Sequence, residues 1–152
     1  MTDWNRRFMD MAEMVASWSK DRSRGVGAVI VGADKTIRSV GYNGFPRGLD
    51  DDVECRHERP AKYKWTEHAE RNAIYNAIRA HSVITGCTIV IPWYPCADCA
   101  RAIIQAGIVK VVSYRPNYED PTWGEDFKMV DEMLAECEIE VEFIPGAMKE
   151  AA

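Results

Sequence analysis

Three soft metal ligands and one carboxylate stand in two short motifs of this sequence. Glu70 follows His68 by two residues, and Cys96 and Cys99 form a C-x-x-C pair that Pro95 directly precedes. One imidazole and two thiolates are ligands that zinc prefers, and a catalytic zinc takes three protein ligands and leaves its fourth position to water. These residue types therefore predict a zinc ion that activates a water molecule.

Glu70 has a specific use beside such an ion. Zinc lowers the pKa of its bound water from about 15.7 to about 7, and a nearby carboxylate can move protons between that water and a substrate. Deamination needs hydroxide at an amidine carbon, one proton on the ring nitrogen and one on the leaving amine. The pairing of H-x-E with P-C-x-x-C is typical of zinc-dependent base deaminases. We therefore predict that Glu70 is the proton shuttle, and not an ordinary first-turn acid stabilised by the helix dipole.

Two other interpretations of the C-x-x-C pair compete with the catalytic one. The pair can belong to a redox centre or to a closed structural zinc site. A closed site needs a fourth ligand, and the chain offers four residues for it: Cys55, His57, Cys87 and Cys137. None of these belongs to a second tight pair, and a redox centre has no need of the H-x-E motif. The catalytic interpretation is therefore favoured.

Length and composition predict a single domain over residues 1–152. The 152-residue chain is 47% hydrophobic and 28% charged, which is typical of a globular protein with a core of its own. No apolar run approaches the ~20 residues that span a bilayer, and the N-terminal residues lack the apolar core of a signal peptide. Five cysteines without disulfide-framework spacing favour a reducing compartment. We expect a cytoplasmic protein.

Charge is distributed unevenly along the chain. The net charge is −5, and the acidic residues are concentrated after residue 116. Basic residues cluster before it, at Lys20, Arg22 and Arg24, and again at Arg47, Arg56, Arg59, Lys62 and Lys64. Such clusters can hold a phosphate, although a solvated loop is the commoner explanation. The acidic balance argues against broad nucleic-acid binding and suits a small anionic substrate.

Hydrophobic periodicity predicts helices and strands that alternate around the two motifs. Helices are predicted over 3–19, 66–80, 96–106 and 122–137, and strands over 26–31, 37–42, 87–91, 109–114 and 139–144. Strands joined by single helices are parallel neighbours, with helices on both faces. The predicted fold is α/β, a three-layer αβα sandwich with a five-stranded mixed sheet.

The proposed chemistry sets conditions on where the motif residues lie. His68 and Glu70 would splay apart on a continuous helix, so His68 must lie in or just before the first turn. Cys96 and Cys99, at i and i+3, share one helix face, and the positive end of a helix lowers thiol pKa values. The charged segment 43–65 is long for a simple connection. Because it leads directly into the His68 motif, we predict a lid.

Longer stretches accompany the metal motifs. They are Ser19–Asp21 leading to Val26–Val31, Gly41–Gly48, Asn72–Ile74 after the H-x-E motif, and Ile103–Ile108 after the C-x-x-C pair. With these stretches the chain resembles the deoxycytidylate (dCMP) deaminases, a family of the zinc-dependent cytidine deaminase-like superfamily, from about Trp4 to Phe143. The resemblance implies hydrolytic deamination of a pyrimidine deoxynucleotide, most simply dCMP to dUMP and ammonia, with Zn²⁺ as cofactor.

The resemblance also implies substrate contacts and partners. Asn43 would hydrogen-bond the sugar hydroxyl, and Ser19 and Lys20 would contact the 5′-phosphate. Apart from the resemblance, the basic clusters offer Arg22 and Arg47 as alternative phosphate anchors. The backbone of Ala69 would hold the base carbonyl, and Tyr118 would lie near the base. Members of the family are usually hexamers, and many respond to a deoxynucleoside triphosphate effector through the glycine-rich segment after Asn43.

Other functions remain open at this stage. Arg22 and the segment Pro92–Tyr94 depart from the pattern of the family, and Trp93 in particular is compatible with a free base or a modified nucleotide as substrate. A tRNA adenosine deaminase shares the zinc motif, but has a shorter link before the His68 helix and a more basic surface. A nucleotide-binding subunit without activity would have no need of Glu70.

Overall fold

The computed structural model describes residues 3–148, which form five helices and five strands. The helices are α1 (Trp4–Ala16), α2 (Lys62–Trp65), α3 (Ala69–Arg79), α4 (Ala97–Gln105) and α5 (Gly124–Glu136). The strands are β1 (Gly27–Val31), β2 (Ile37–Tyr42), β3 (Thr88–Ile91), β4 (Lys110–Tyr114) and β5 (Glu140–Ile144). A 3-10 turn at Glu54–His57 lies between β2 and α2.

The strands form one mixed sheet in the order β2-β1-β3-β4-β5. β1 is antiparallel to both β2 and β3, while β3, β4 and β5 are parallel to one another. The parallel neighbours are the ones joined by single helices, because a crossover through a helix returns the chain in the same direction. The predicted five-stranded mixed sheet is confirmed.

Helices cover both faces of the sheet, but unequally. On one face α1 packs against alternate residues of the central strands, with Phe8, Met9 and Ala12 beside Val29, Val31, Val90 and Val112. On the other face α3, α4 and α5 pack against the residues between them, including Ala28, Ile30, Ile89, Ile91 and Val111. Both sides of β1 and β3 are buried, which explains their unbroken apolar sequences. The predicted three-layer αβα sandwich is confirmed.

The predicted helix ends differ from the observed ones at two places. The first helix begins as expected, since the Asp3 side chain caps it by accepting a hydrogen bond from the Arg6 N–H at 3.1 Å. It ends at Ala16, three residues before the predicted end at Ser19. The predicted helix over 66–80 was expected to start at Thr66. In the structure, Thr66 instead ends α2 as its C-cap. The true N-cap of α3 is His68.

The segment 43–65 carries more structure than the sequence predicted. Besides α2 and the 3-10 turn, it holds an aromatic cluster in which Phe45 stacks on His57 with ring centroids 4.8 Å apart. The Arg56 guanidinium lies 4.2 Å over the ring of Trp65. A salt bridge of 3.3 Å from Lys62 to Asp21 ties the segment to the chain before β1. We call residues 43–65 the lid segment.

Within residues 3–148, no helix combines the length and the apolar character needed to cross a membrane.

Candidate metal centre and active site

The N-terminus of α3 positions both residues of the H-x-E motif. His68 is the N-cap residue with extended backbone angles, φ −79° and ψ 156°, and Glu70 is the second residue of the helix. This confirms the condition that the sequence analysis placed on His68. Gly41 of β2 allows α3 to pack closely against this strand. A Cβ at residue 41 would lie 2.3 Å from the backbone nitrogen of Ala73 and 2.7 Å from the carbonyl oxygen of Ala69.

The N-terminus of α4 positions the two cysteines in the same way. Cys96 is the N-cap of α4, and Cys99, the third residue of the helix, is fully buried. The preceding strand, β3, ends at Ile91 in the centre of the sheet. Both motifs therefore come from helix N-termini, where the helix dipole favours negatively charged thiolates.

The three candidate ligands have the spacing that a tetrahedral zinc requires. Nδ1 of His68 lies 3.5 Å from Sγ of Cys96 and 3.3 Å from Sγ of Cys99. All three atoms lie within 4.8 Å of one another. Zinc bonds of about 2.0–2.1 Å to nitrogen and about 2.3 Å to sulfur, at tetrahedral angles, place N and S about 3.5 Å apart. The donor set therefore fits zinc without rearrangement.

The geometry contradicts a closed structural site in the described part of the chain. Over residues 3–148 no fourth histidine, cysteine or carboxylate joins the group formed by His68, Cys96 and Cys99. Two of the alternatives considered from the sequence, Cys55 and Cys137, are exposed free thiols. A zinc held here would have three protein ligands and an open position, which is the arrangement of catalytic sites.

Charges at this centre are strongly coupled. A hydrogen bond from the Cys99 thiol, aided by one from His68, overcomes burial and lowers the pKa of Cys96 to about 4. The same thiolate and the burial of its own sulfur raise the pKa of Cys99. The hydrogen bond to Cys96 also raises the pKa of His68, despite partial burial. The metal-free centre therefore favours a thiolate at Cys96, and a bound metal would deprotonate the second thiol as well.

Glu70 is a buried carboxyl group beside these ligands. Glu70 is 4% exposed and is one of the few buried polar residues in the described part of the chain. Desolvation is the main cause that raises the pKa of Glu70, and the negative charge of Cys96 raises it further. A carboxyl group whose charged form is disfavoured holds and delivers a proton more readily than an exposed one. Glu70 thus has the environment of a general acid–base residue.

A cavity of about 370 Å³ leads to the centre and is lined by His68, Glu70 and Cys96. Cavities of small ligands begin near this size. Aromatic rings and cations line the same cavity, namely Trp93, Trp123, Tyr63, Arg24, Arg59 and Lys62. The buried Glu70 marks its inner end, while Arg24 and Arg59 are exposed at its mouth. Asp21, which pairs with Lys62, and Asp120 line the cavity as well. The two exposed arginines are therefore the positions where an anionic group on a flat-ringed molecule would bind.

Two of the residues that resemblance assigned to the substrate line the cavity. Ala69 is the first residue of α3, and Asn43 is buried at 8% exposure. The Asn43 amide already holds the chain before β1, since its Nδ2 donates to the carbonyl of Arg24 and its Oδ1 accepts from the N–H of Val26, both at 2.8 Å. One N–H of the amide is left for a ligand.

The other three predicted contacts lie outside the cavity lining. Ser19 Oγ donates to the carbonyl of Asn43 at 2.8 Å. The Lys20 ammonium pairs with Asp51 at 3.1 Å and faces a neighbouring cavity. Tyr118 packs into the core around α5, where burial and the Asp131 carboxylate raise its pKa to about 12. Ser19, Lys20 and Tyr118 therefore do not line the cavity that leads to His68 and Glu70, and their predicted contacts to the phosphate and the base stay predictions.

The sequence did not predict that the two tryptophans and the cations would line the same cavity. Trp93 did stand out as an aromatic residue directly before the P-C-x-x-C motif, which was the available signal. Trp123 and Lys62 gave no such signal, because only the folded chain brings the start of α5 and the lid segment next to α3.

Comparison with known proteins identifies the family. Residues 2–115 match the family model described as the cytidine and deoxycytidylate deaminase zinc-binding region. The chain belongs to this family. It is a zinc-binding family, and the group formed by His68, Cys96 and Cys99 has the nitrogen and sulfur donors that zinc prefers.

Relatives in this deaminase family cover most of the chain. An uncharacterized deaminase of Aliivibrio fischeri is 42% identical over 95% of this chain and 96% of its own length. Human deoxycytidylate deaminase is 38% identical over 78% of this chain and 68% of its own. The crystal structure of a cyanophage S-TIM5 dCMP deaminase with dCMP and dUMP is 29% identical, with a TM-score of 0.71, and the match covers 91% of this chain and 95% of that one.

Proposed function

We propose that this deaminase converts dCMP and water to dUMP and ammonia. The observation that carries the proposal is the open-sided group of His68, Cys96 and Cys99 with the buried Glu70 beside it, at the inner end of a ligand-sized cavity. The names of the human and cyanophage relatives support dCMP as the substrate.

The chain's own residues would divide the work as follows. His68, Cys96 and Cys99 would hold the zinc, which would supply hydroxide at neutral pH. Glu70 takes the proton that the water loses and passes it to the ring nitrogen next to the reacting carbon. It then transfers a second proton from the added hydroxyl to the leaving amine, so that ammonia departs and the ring keeps a carbonyl oxygen. Burial raises the pKa of Glu70, a direction that suits a carboxyl group that must carry a proton between the two transfers.

The base and the sugar would be held by the walls of the cavity. The first N–H groups of a helix have no partner within the helix, so the backbone N–H of Ala69 can donate to the base carbonyl. The remaining N–H of Asn43 can donate to the sugar hydroxyl. Trp123, which lines the cavity while the predicted Tyr118 does not, supplies a flat apolar surface for the ring.

The proposal also covers the location of the protein, its oligomeric state and an effector. We place the protein in the cytoplasm because the zinc thiols must stay reduced, and all five cysteines are free. We also propose a hexamer and a deoxynucleoside triphosphate effector, which the resemblance implies. A separate cavity of about 470 Å³ supports the effector, since Gly44, Phe45 and Arg47 of the lid segment line it. Light scattering and the dependence of activity on added triphosphates test both.

A panel of substrates tests the function directly. Ammonia release is measured for dCMP, CMP, deoxycytidine, cytosine, 5-methyl-dCMP and a tRNA anticodon stem-loop containing adenosine. We expect the largest kcat/KM for dCMP and no inosine in the RNA. A protein that releases ammonia only from a free base or from the RNA would contradict the proposal. Glu70→Gln protein, prepared identically and carrying the same zinc, controls for contaminating deaminases.

A further inference from the structure

The cations of the two basic clusters differ in what neutralises them. Lys20 pairs with Asp51 and Arg22 with Glu54, both outside the zinc cavity. Arg47 donates to the Asn76 amide at 2.7 Å, and it lines the separate cavity. These three residues are the phosphate anchors that the sequence suggested, and the structure commits each of them to another partner.

Three cations line the zinc cavity itself: Arg24, Arg59 and Lys62. The Lys62 side chain is 12% exposed, and its ammonium group is neutralised by the Asp21 carboxylate 3.3 Å away. Within residues 3–148, neither arginine has a carboxylate within salt-bridge distance. Arg59 lies 5.9 Å from the ring centroid of its near neighbour Tyr63. Arg24 makes a much closer contact.

The Arg24 guanidinium lies over Trp93, with its Cζ atom 3.8 Å from the ring centroid. Trp93 also packs edge-to-face with Phe127, with the ring centroids 5.7 Å apart. A guanidinium on an aromatic face keeps its N–H groups at its edge, where they can bind a planar or tetrahedral oxyanion. Arg24 is therefore held in one orientation while its donors stay available.

The backbone of Arg24 is fixed as well. Its N–H donates to Oδ1 of Asp21 at 3.0 Å, and its carbonyl accepts from Nδ2 of Asn43 at 2.8 Å. The same Asp21 oxygen binds the Lys62 ammonium. Asp21 thus contacts both the chain that carries Arg24 and Lys62 of the lid segment. Such support on both sides of an unpaired cation is typical of a preorganised binding residue.

We infer that Arg24, oriented by Trp93, binds the phosphate monoester of the substrate at the mouth of the zinc cavity. This inference rests on the proposed function, which puts the base at Glu70 and therefore leaves the phosphate at the exposed end. It replaces Ser19 and Lys20 as the phosphate contact. It also gives a role to Trp93, which departs from the family's sequence pattern.

The role of Arg24 is tested by how strongly the enzyme prefers a phosphorylated ligand over the matching nucleoside. For wild type and Arg24→Gln, kcat/KM is compared between dCMP and deoxycytidine, and the dissociation constants of dUMP and deoxyuridine are measured by calorimetry. Loss of a charge-assisted hydrogen bond lowers the preference for the phosphorylated ligand roughly ten- to a hundredfold. We expect this loss for Arg24→Gln in both assays, with deoxycytidine turnover changed far less than dCMP turnover.

Matched variants separate this role from general damage. Arg7→Gln removes an arginine that lies 4.9 Å over Trp4 on α1, away from the cavity, and should leave both ratios unchanged. Trp93→Leu keeps Arg24 but removes its support. We expect it to reduce the preference roughly two- to fivefold, mainly through KM for dCMP. Zinc content and thermal unfolding are recorded for each variant to show that the centre is intact.

The outcomes distinguish the inference from the proposed function. If wild type releases no ammonia from dCMP, the proposed function fails, and the dUMP and deoxyuridine affinities still test Arg24. If wild type prefers dCMP but Arg24→Gln keeps the preference in both assays, the inference is wrong and the function stands. A loss of preference in Lys20→Gln instead of Arg24→Gln would return the phosphate to the residue that the sequence suggested.

Discussion

The carboxylate of Asp126, in the first turn of α5, accepts a hydrogen bond from the backbone N–H of Ala97 at 2.8 Å. Ala97 is the first residue of α4, between the two zinc-binding cysteines. Its N–H is one of the helix-start donors that have no partner within the helix. Cys96, the N-cap residue, makes no side-chain capping bond, so α5 supplies the cap that α4 lacks. The contact ties the orientation of the metal ligands to the packing of a distant helix.

Removing this cap should weaken both the fold and the metal centre. For Asp126→Ala we expect a loss of about 1 kcal/mol in the free energy of unfolding, as for other helix caps. We also expect roughly tenfold weaker zinc binding, because residues that orient metal ligands contribute at that level. Asp126→Asn keeps an acceptor oxygen and should restore most of both. Denaturant unfolding and competition with a chromogenic chelator provide the measurements.

Glu125 provides the matched control for Asp126. It is the neighbouring acid on the same helix turn, exposed and paired with Lys128 at 2.9 Å. Glu125→Ala should change stability by less than about 0.5 kcal/mol and leave zinc affinity unchanged. Equal effects of Glu125→Ala and Asp126→Ala would show that the charge of α5, and not the bond to Ala97, matters.

Replacement of Glu70 by glutamine should separate chemistry from structure. Glutamine has nearly the same shape but cannot take up and release protons, so we expect kcat to fall at least roughly 10²–10⁴-fold, the usual contribution of an acid–base residue. Zinc content and dUMP affinity should stay near those of wild type. Removal of a buried carboxyl group whose charged form is disfavoured should not lower the free energy of unfolding. Substantial turnover in zinc-loaded Glu70→Gln protein would assign proton transfer to another group.

Zinc removal should destabilise the protein by an amount that rises with the logarithm of the metal's affinity. A ligand that binds only the folded state adds about 2.7 kcal/mol at a free concentration of 100 times its dissociation constant. We expect one zinc per chain by elemental analysis, a lower Tm after chelation, and recovery of Tm and activity on adding zinc. Cys99→Ser should abolish this dependence on zinc. Cys137→Ser, which changes an exposed free thiol, should retain it.

The sequence predicted the parts of the site that depend on local spacing. His68 was expected in or before the first turn of its helix, because an i, i+2 pair splays apart on a continuous helix, and it proved to be the N-cap of α3. The i, i+3 spacing placed Cys96 and Cys99 on one face at the start of α4. The sheet followed from strands with unbroken apolar residues joined by helices. Each of these predictions needed only neighbours along the chain.

The contacts at the mouth of the cavity could not be predicted in this way. Lys20, Arg22, Arg24 and Lys62 are similar basic residues in sequence, and what separates them is whether the fold brings an acidic partner to them. Lys20 and Arg22 pair with Asp51 and Glu54 of the lid segment, and Lys62 of that segment pairs with Asp21, across 31 to 41 residues of chain. The lid segment in turn adopts its helical turns because Phe45 packs on His57 and Arg56 on Trp65. Such distant pairings leave no periodic signal in the sequence.

Asp21 makes the stability of this region depend on pH. Desolvation of the half-buried carboxyl group opposes its ionisation, but backbone N–H groups of Arg24 and Ser23 and the Lys62 ammonium outweigh it. Together they lower the pKa of Asp21 below its ordinary value of 3.8. The unfolded chain therefore binds this proton more readily than the folded one. The stabilisation is fully present above the unfolded-state pKa and is lost as the pH falls through the folded-state pKa.

Asp21→Asn should reproduce that loss at neutral pH. Asparagine can still accept from the two backbone N–H groups, but it leaves the Lys62 ammonium, 12% exposed, without a counter-charge. Hydrogen bonds to charged groups contribute about 1.5–3 kcal/mol, so we expect a decrease of that order in the free energy of unfolding at pH 7. The difference between wild type and variant should shrink as the pH falls below about 4. Both proteins lose zinc on acidification, so only this difference is interpreted. If the difference in the free energy of unfolding between wild type and Asp21→Asn stays constant down to pH 2.5, the effect comes from packing. If Asp21→Asn has no further effect on unfolding in a Lys62→Gln protein, the effect comes from the ion pair.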